Sequence, residues 1–402
     1  VTDSRPPRPA PNQIVADTSP VPPPSPDEST DPVYGQKREV MIALIKESRD
    51  PVEKADLLMR LADLEQEMVD SAESRIAEIL DRCGEVGCGS ADRARLERLE
   101  AVRQRHVDEQ VTWLDRVVRE HETYFRADEA LYRLGFTLLE HDQPEVALRH
   151  IRLLITRYPK SRWVPSAYLA FGDHYFERED VDKAAQLYEK VLAFHDPDTM
   201  PFAHYKLGWC HFDKQDFKRA LDSFVKALQS IRASTAPGLY ELREQVLKDL
   251  VRAYAQVGKP QMAEKFFGKF ADERVEELLE HLAGFYFDEG KYAQSITVHR
   301  RLVQRVECST VQARSQLGIF EANLLLGNRE GMLLEAKRLA DVFVQLGECL
   351  PAEELREFAE VGVEAKETIR EQAAQFRAEF DMTQAPAAAK AAEALEQAAA
   401  AF

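Results

Sequence analysis

The chain is 402 residues long, more than one ordinary hydrophobic core supports, so it forms either two or three domains or an extended array. Its 70 acidic and 53 basic side chains give a formal charge of −17, which excludes a diffuse basic footprint for nucleic acid or anionic lipid. Apolar residues make up 45%, an ordinary globular share, yet no stretch approaches the about 18 consecutive apolar residues of a membrane span.

Segment 1–35 reads as a tether. Residues 1–32 hold ten of the 20 prolines and no aromatic residue. Such a stretch cannot offset its ordering entropy by burial, and it predicts a disordered spacer reaching about 100 Å at about 3.1 Å per residue. A proline ligand for an SH3-like groove is the competing reading. Region 36–127 then shows long helical periodicity. Asp50-Pro51-Val52-Glu53 supplies an N-cap, a proline at the first helical position and a carboxylate at the third. Leu57, Leu61, Leu64, Met68, Ala72, Ile76 and Ile79 hold one stripe as far as Cys83-Gly84, which predicts a helix over 51–83. A second helix, capped by Ser90 and carrying Leu96, Leu99, Val102, Val107, Val111, Leu114 and Val117, returns antiparallel to the first.

Over 128–346 the chain repeats itself. Blocks ending Leu134-Gly135, Phe171-Gly172 and Leu207-Gly208 place the glycines 37 and 36 residues apart. Twelve residues after each comes Ala147, Ala184 or Ala220, and this small position continues as Ala263 and Ser295 before degenerating at Met332. Small side chains at two such places let the helices of one hairpin approach closely. Tyr175, Tyr188, Phe224, Tyr254, Phe267 and Tyr286 are expected to fill the remaining space between helices. An amphipathic helix within 347–384, carrying Leu355, Phe358, Val361, Ile369, Phe376 and Phe380, suits the cap that a repeat array needs on its last face. Segment 385–402 is mostly alanine and reads as a frayed helix or low-complexity end.

These blocks resemble the tetratricopeptide repeat family, whose unit of about 34 residues keeps small side chains at its eighth and twentieth positions. Leu207, Gly208, Ala220, Phe224 and Ala227 carry the resemblance over 201–234, and Leu134, Gly135, Ala147 and Pro159 carry it over 128–161. About six repeats cover roughly half the chain; the fourth departs from the pattern with Val251 at the first small position and the sixth with Phe320. Tyr158-Pro159-Lys160-Ser161 is similar to repeat endings in bacterial envelope proteins such as outer-membrane assembly lipoproteins and Tol-Pal coordinators. The run from Tyr205 to Cys210 is similar to gliding-associated repeat proteins of myxobacteria-like species. The resemblance implies an all-α, right-handed solenoid that acts as a non-catalytic scaffold or adaptor for protein partners, placed in the periplasm or cell envelope. A cytosolic adaptor, a self-assembling structural component and an enzyme-associated regulator are the alternatives with the same fold.

The resemblance further implies that fixed positions on each first helix line a concave groove for a peptide or partner helix. Carried over, these are Tyr132, Phe136, Leu139 and Glu140, then Leu169, Asp173, Phe176 and Glu177, then Phe202, Tyr205, Trp209, Phe212 and Asp213. The aromatic members Tyr132, Phe136, Phe176, Phe202, Tyr205, Trp209 and Phe212 are the expected partner contacts, since large rings remove much apolar area from water at low entropic cost. Repeats four and five turn charged at the same places, with Lys248, Arg252, Glu277 and Glu280. A groove filled by the chain's own hairpin or tail, or a plain core role for these rings, fits the same spacing.

No phosphate-binding glycine loop, nucleophile elbow or His-Glu-x-x-His pair occurs, so no catalytic residue, metal or cofactor is expected. His204 and His211 lie seven apart on one helix face without further ligands nearby in sequence. Cys83 and Cys88 bracket a glycine-containing tip short enough for a disulfide in an oxidising compartment. Cys308 and Cys349 fall in adjacent repeats, whose spacing of about 10 Å argues against a bridge unless the loops reach inward, and Cys210 reads as a buried small hydrophobe.

Overall fold

The computed structural model describes residues 32–84, 87–141, 143–234, 238–400 and 402, so most of the proline-rich tether lies outside it. The chain divides into an N-terminal unit ending at Val164 and a C-terminal unit starting at Pro165. Among the described residues every regular element is helical.

In the N-terminal unit, α1 (Pro32–Glu47) precedes the long hairpin of α2 (Pro51–Cys83) and α3 (Ser90–Glu120). The start of α2 follows from its local chemistry: Asp50 Oδ1 accepts the Val52 N–H at 2.9 Å, and Pro51 occupies the first turn, where its missing N–H costs nothing. Ser90 does not cap α3; Gly89 holds the cap position in extended backbone and Ser90 is the first helical residue. Leu58, Leu61, Leu99 and Leu114 are fully buried between the two helices. One charged residue joins them. Glu65 is fully buried, accepting from Tyr34 Oη at 2.7 Å and Arg38 Nε at 3.3 Å, with His106 Nδ1 at 2.7 Å. Burial alone would raise the Glu65 carboxyl, but the His106 and Tyr34 hydrogen bonds outweigh it and hold the group below its ordinary value. This network fastens α1 to the hairpin. The first repeat follows as α4 (Ala127–Glu140) and α5 (Pro144–Arg157), with α4 packed on α3.

The C-terminal unit continues the hairpins: α6 (Val164–Glu177) with α7 (Val181–Leu192), and α8 (Met200–Asp213) with α9 (Phe217–Ile231). The fourth repeat pairs α10 (Leu239–Val257) with a shortened partner. Pro260 opens a 3-10 turn over Pro260–Met262, and α11 runs only from Ala263 to Phe267. Then come α12 (Val275–Asp288) with α13 (Tyr292–Arg305), α14 (Thr310–Leu325) with α15 (Arg329–Leu346), and finally α16 (Leu355–Thr383) and α17 (Pro386–Ala399).

The small positions act as their spacing requires. A Cβ added at Gly135 would stand 2.8 Å from the Ile151 side chain, and at Gly172 and Gly208 it would stand 2.5 Å from the Tyr188 and Phe224 rings. In the fifth repeat Ser295 replaces the alanine and donates from Oγ to the Ala283 carbonyl at 2.9 Å, so its hydroxyl is buried without loss. The sixth repeat solves the problem differently. Phe320 fills the interior, and the close approach moves to Gly318, where a Cβ would lie 2.5 Å from His299 Nε2 on α13.

Two expectations are corrected here. The alanine-rich end is a packed helix, α17, which buries Ala388, Ala391, Ala392 and Leu395 against α15 and α16. Alanine is the strongest helix former, and its small side chain lets three helices close on one another. Cys308 and Cys349 are bonded, with Cα atoms 5.9 Å apart. Helix spacing does not govern this pair, because Cys308 precedes α14 and Cys349 follows α15; the sulfurs meet on loops at the same end of one antiparallel hairpin. Cys83 and Cys88 are also bonded, with Cα atoms 4.8 Å apart, and Cys210 is a buried free thiol.

Candidate functional site

Helix α8 carries Phe202, Tyr205, Trp209 and Phe212 at steps of three, four and three, which places four rings along one face. All four are half-buried and rest on the core formed by Phe224, Val246, Leu250 and Tyr254. Their bases are fixed by ring contacts. Trp209 meets Phe212 edge-on at 5.3 Å and Phe224 at 6.1 Å, while Phe212 meets Phe217 at 5.1 Å. Most of their surface is therefore structural support, and the smaller remainder is available to water or a partner.

Tyr205 differs from its neighbours. Its hydroxyl donates to Asp249 Oδ2 on α10 at 2.8 Å, and Asp249 is only 7% exposed. Burial raises the Asp249 carboxyl above its ordinary value even though Tyr205 and Arg252 act to lower it. Arg252 Nη1 reaches Asp249 Oδ1 at 3.3 Å. Tyr205 is thus a tie between α8 and α10 as well as a surface ring, and removing it leaves the buried acid to Arg252 and Trp209. Sequence spacing could not show this, because the partner lies 44 residues away.

Phe176 on α6 is half-buried against Tyr188, Leu207 and Cys210. The charged positions cluster beyond α8: Lys248, Arg252, Glu280 and Arg314 line a cavity of about 540 Å³ with Phe285 and His281. Arg314 is held there by Glu280 at 2.9 Å and also pairs with Glu357, and Glu277 is taken by Arg274 at 2.6 Å. Among the described residues the buried Nδ1 of His204 has no partner, and burial lowers its imidazole to about 4, so it stays neutral at physiological pH. Among the described residues no three His, Cys, Asp or Glu side chains gather with metal-binding geometry.

In the N-terminal unit, Tyr132 and Phe136 belong to a different setting. Tyr132 is half-buried and Phe136 is 39% exposed; they line a cavity of about 590 Å³ between α2, α3 and α4. Its other walls are Gln66, Asp70 and Glu73 of α2 and Arg103 and Gln110 of α3, residues that read in sequence as an ordinary solvated helix face. The only sequence signal is that α2 and α3 extend beyond a normal repeat and so wall off the first hairpin.

Models of the tetratricopeptide repeat family match residues 129–161 and 169–237. The chain therefore contains tetratricopeptide repeats, in an all-α fold of the helical-hairpin solenoid class; such repeats serve as protein-binding scaffolds. No curated protein matches the sequence. Among solved structures, a tetratricopeptide repeat protein from Parabacteroides merdae is 15% identical, with 73% of this chain and 98% of that one aligned and a TM-score of 0.35. The C-terminal part of a repeat-containing protein from Cytophaga hutchinsonii is 15% identical over 72% and 91% of the two chains, with a TM-score of 0.36. The TPR2AB domain of yeast Sti1, solved in a complex with pHSP90, is 11% identical over 68% and 98%, with a TM-score of 0.31.

Proposed function

We propose that the protein is a non-catalytic scaffold whose α8 surface receives a peptide or helix of a protein partner. The observation that carries this reading is the row of Phe202, Trp209 and Phe212, held at the base by core packing and ring contacts and partly open to solvent. Rings fixed in this way lose little further entropy on binding, which is what makes aromatic anchors effective. The charged cavity around Lys248 and Arg252 supplies polar positions that would fix direction and register.

The compartment in this reading is oxidising. Two bonded cysteine pairs in one chain suit the periplasm or cell envelope better than the cytosol, where thiols are kept reduced. An assembly of the envelope, serving the outer membrane or motility, is the setting we infer.

The test is cross-linking in the native host with wild type and Trp209→Ala, followed by identification of the captured proteins. A defined envelope protein captured only by wild type, with helical content unchanged, is the expected result. Equal capture, or a variant that no longer folds, removes the α8 surface from the reading. Phe212→Ala is the companion variant, because Tyr205 and Trp209 both hydrogen-bond the buried Asp249 and substituting either also disturbs that acid.

A further inference from the structure

The N-terminal cavity has features that an ordinary helix face lacks. Tyr132, Phe136 and Glu140 follow one another at steps of four along α4 and share its cavity side. The two rings belong to a ladder. Phe136 stacks on Tyr132 at 5.9 Å, Tyr132 on Trp163 at 4.9 Å, and the Arg162 guanidinium lies 4.6 Å from the Trp163 ring. One end of the ladder is thus already capped by a guanidinium, while the Phe136 end opens into the cavity.

Carboxylates surround that open end. Thr137 donates to Gln110, Gln110 to Gln66, and Gln66 to Asp70 Oδ1 at 2.7 Å, a chain that fixes the Asp70 carboxylate. Of the two arginines of the wall, Arg103 stands 3.8 Å from Glu73 and offsets that one acid of the cavity, while Arg133 bonds Asp63 outside it at 2.5 Å. Among the described residues nothing pairs with Glu140. Partial loss of solvation, followed by the charges of Glu73 and Asp70, raises its carboxyl above the ordinary range, although much of its side chain still meets water. The cavity therefore holds negative charge in excess, next to an open aromatic face.

We propose that this cavity binds an arginine side chain of a protein partner, the guanidinium lying on the Phe136 ring and bridging the carboxylates of Asp70 and Glu140. A guanidinium fits better than an ammonium because it is planar for stacking and presents a fork of donors to two acids. The site rests on the reading of the chain as protein-binding but shares no residue with the α8 surface.

The experiment is fluorescence anisotropy on the full chain with a fluorescein-labelled Gly-Ala-Arg-Ala-Gly amide, and with the same peptide carrying lysine or citrulline in place of arginine. Saturable binding of the arginine peptide is expected, weakened about fivefold by lysine and about tenfold or more by citrulline, which keeps the shape and loses the charge. Phe136→Ala and Glu140→Gln should each weaken it about fivefold. Glu140→Gln alters only an exposed group and reports on the site even if Phe136→Ala disturbs folding. Equal affinity for arginine and citrulline, indifference to Glu140→Gln, or no saturable binding would each overturn the assignment; equal affinity for lysine would overturn the guanidinium specificity. The Phe136 and Glu140 variants assign the signal to this cavity, so the result stands apart from the Trp209 capture experiment.

Discussion

At the scale of single residues, the glycines of the first helices are the most constrained positions in the chain. The Tyr188 ring against Gly172 is fully buried, and its hydroxyl is tied to Asp173 at 2.6 Å, so it cannot withdraw from an added methyl group. Gly172→Ala should cost about 2 kcal/mol or more in urea unfolding, as overpacking of a fixed ring does. Gly284, also helical, has nothing within 4 Å of an added Cβ, and Gly284→Ala should stabilise by about 0.5–1 kcal/mol through helix propensity. His299 gives a pH dependence. It keeps some surface exposure, yet its Nδ1 is buried without a partner among the described residues, and burial lowers the imidazole from 6.5 to about 4. The neutral form is the one that folds, so its contribution is complete above about pH 6.5 and is lost as pH falls toward 4. Thermal melts of wild type and His299→Gln should converge across that window, with about 2 kcal/mol at stake after allowing for the partial exposure. At this scale the sequence showed Gly172 and Trp209 through their repeat spacing. Glu140 came from the same repeat pattern as a groove position, but Asp249 and Asp70 could not be singled out, because a charged side chain on a helix is usually solvated, and only tertiary packing decides otherwise.

At the scale of elements, the same turn joins the helices of successive hairpins. Asp180, Asp216, Lys291 and Asn328 each donate a backbone N–H to the carbonyl five residues earlier, and each is preceded by a residue with positive φ: Glu179, Gln215, Gly290 and Gly327. This closure satisfies the last carbonyls of the first helix and aims the second back along it. Two repeats reach the left-handed conformation with glycine and two without it. Gly290→Ala should therefore destabilise by about 1 kcal/mol, measured by denaturant unfolding, although no atom lies within 4 Å of the new methyl. Helix positions and hairpin pairing were legible because their apolar period is strong. The packing of α17 was not, since a run of alanines has no periodic contrast and reads as a frayed helix or low-complexity end; what it packs against, α15 and α16, supplies the contrast.

At the scale of the whole molecule, repetition carries most of what the sequence reveals, and departures from repetition carry what it hides. The truncated α11, the exchange of Gly318 for the usual small position and the covalent link across the last hairpin all fall where the repeat pattern weakens. The link should be energetically substantial. It joins residues 41 apart, and loop closure on that scale stabilises by about 4 kcal/mol if the folded state is unstrained. Cys308→Ser with Cys349→Ser should lower the unfolding free energy of the C-terminal unit by about 3–4 kcal/mol, whereas the same change at Cys83 and Cys88, only five residues apart, should cost about 2 kcal/mol. Equal melting of wild type with and without reductant would show that neither bond exists in the native protein.

The Cys308–Cys349 bond also has a mechanical meaning. A pull applied along the chain reaches Cys308 and passes directly through the sulfurs to Cys349, so helices α14 and α15 carry none of it. The 41 peptide steps between the two sulfurs, about 140 Å of contour at about 3.4 Å each, are withheld from any extension until the bond is reduced. A scaffold fixed at one end and loaded at the other would thus keep its last hairpin folded under tension while other hairpins yield, and its greatest reach would be set by the redox potential of its surroundings.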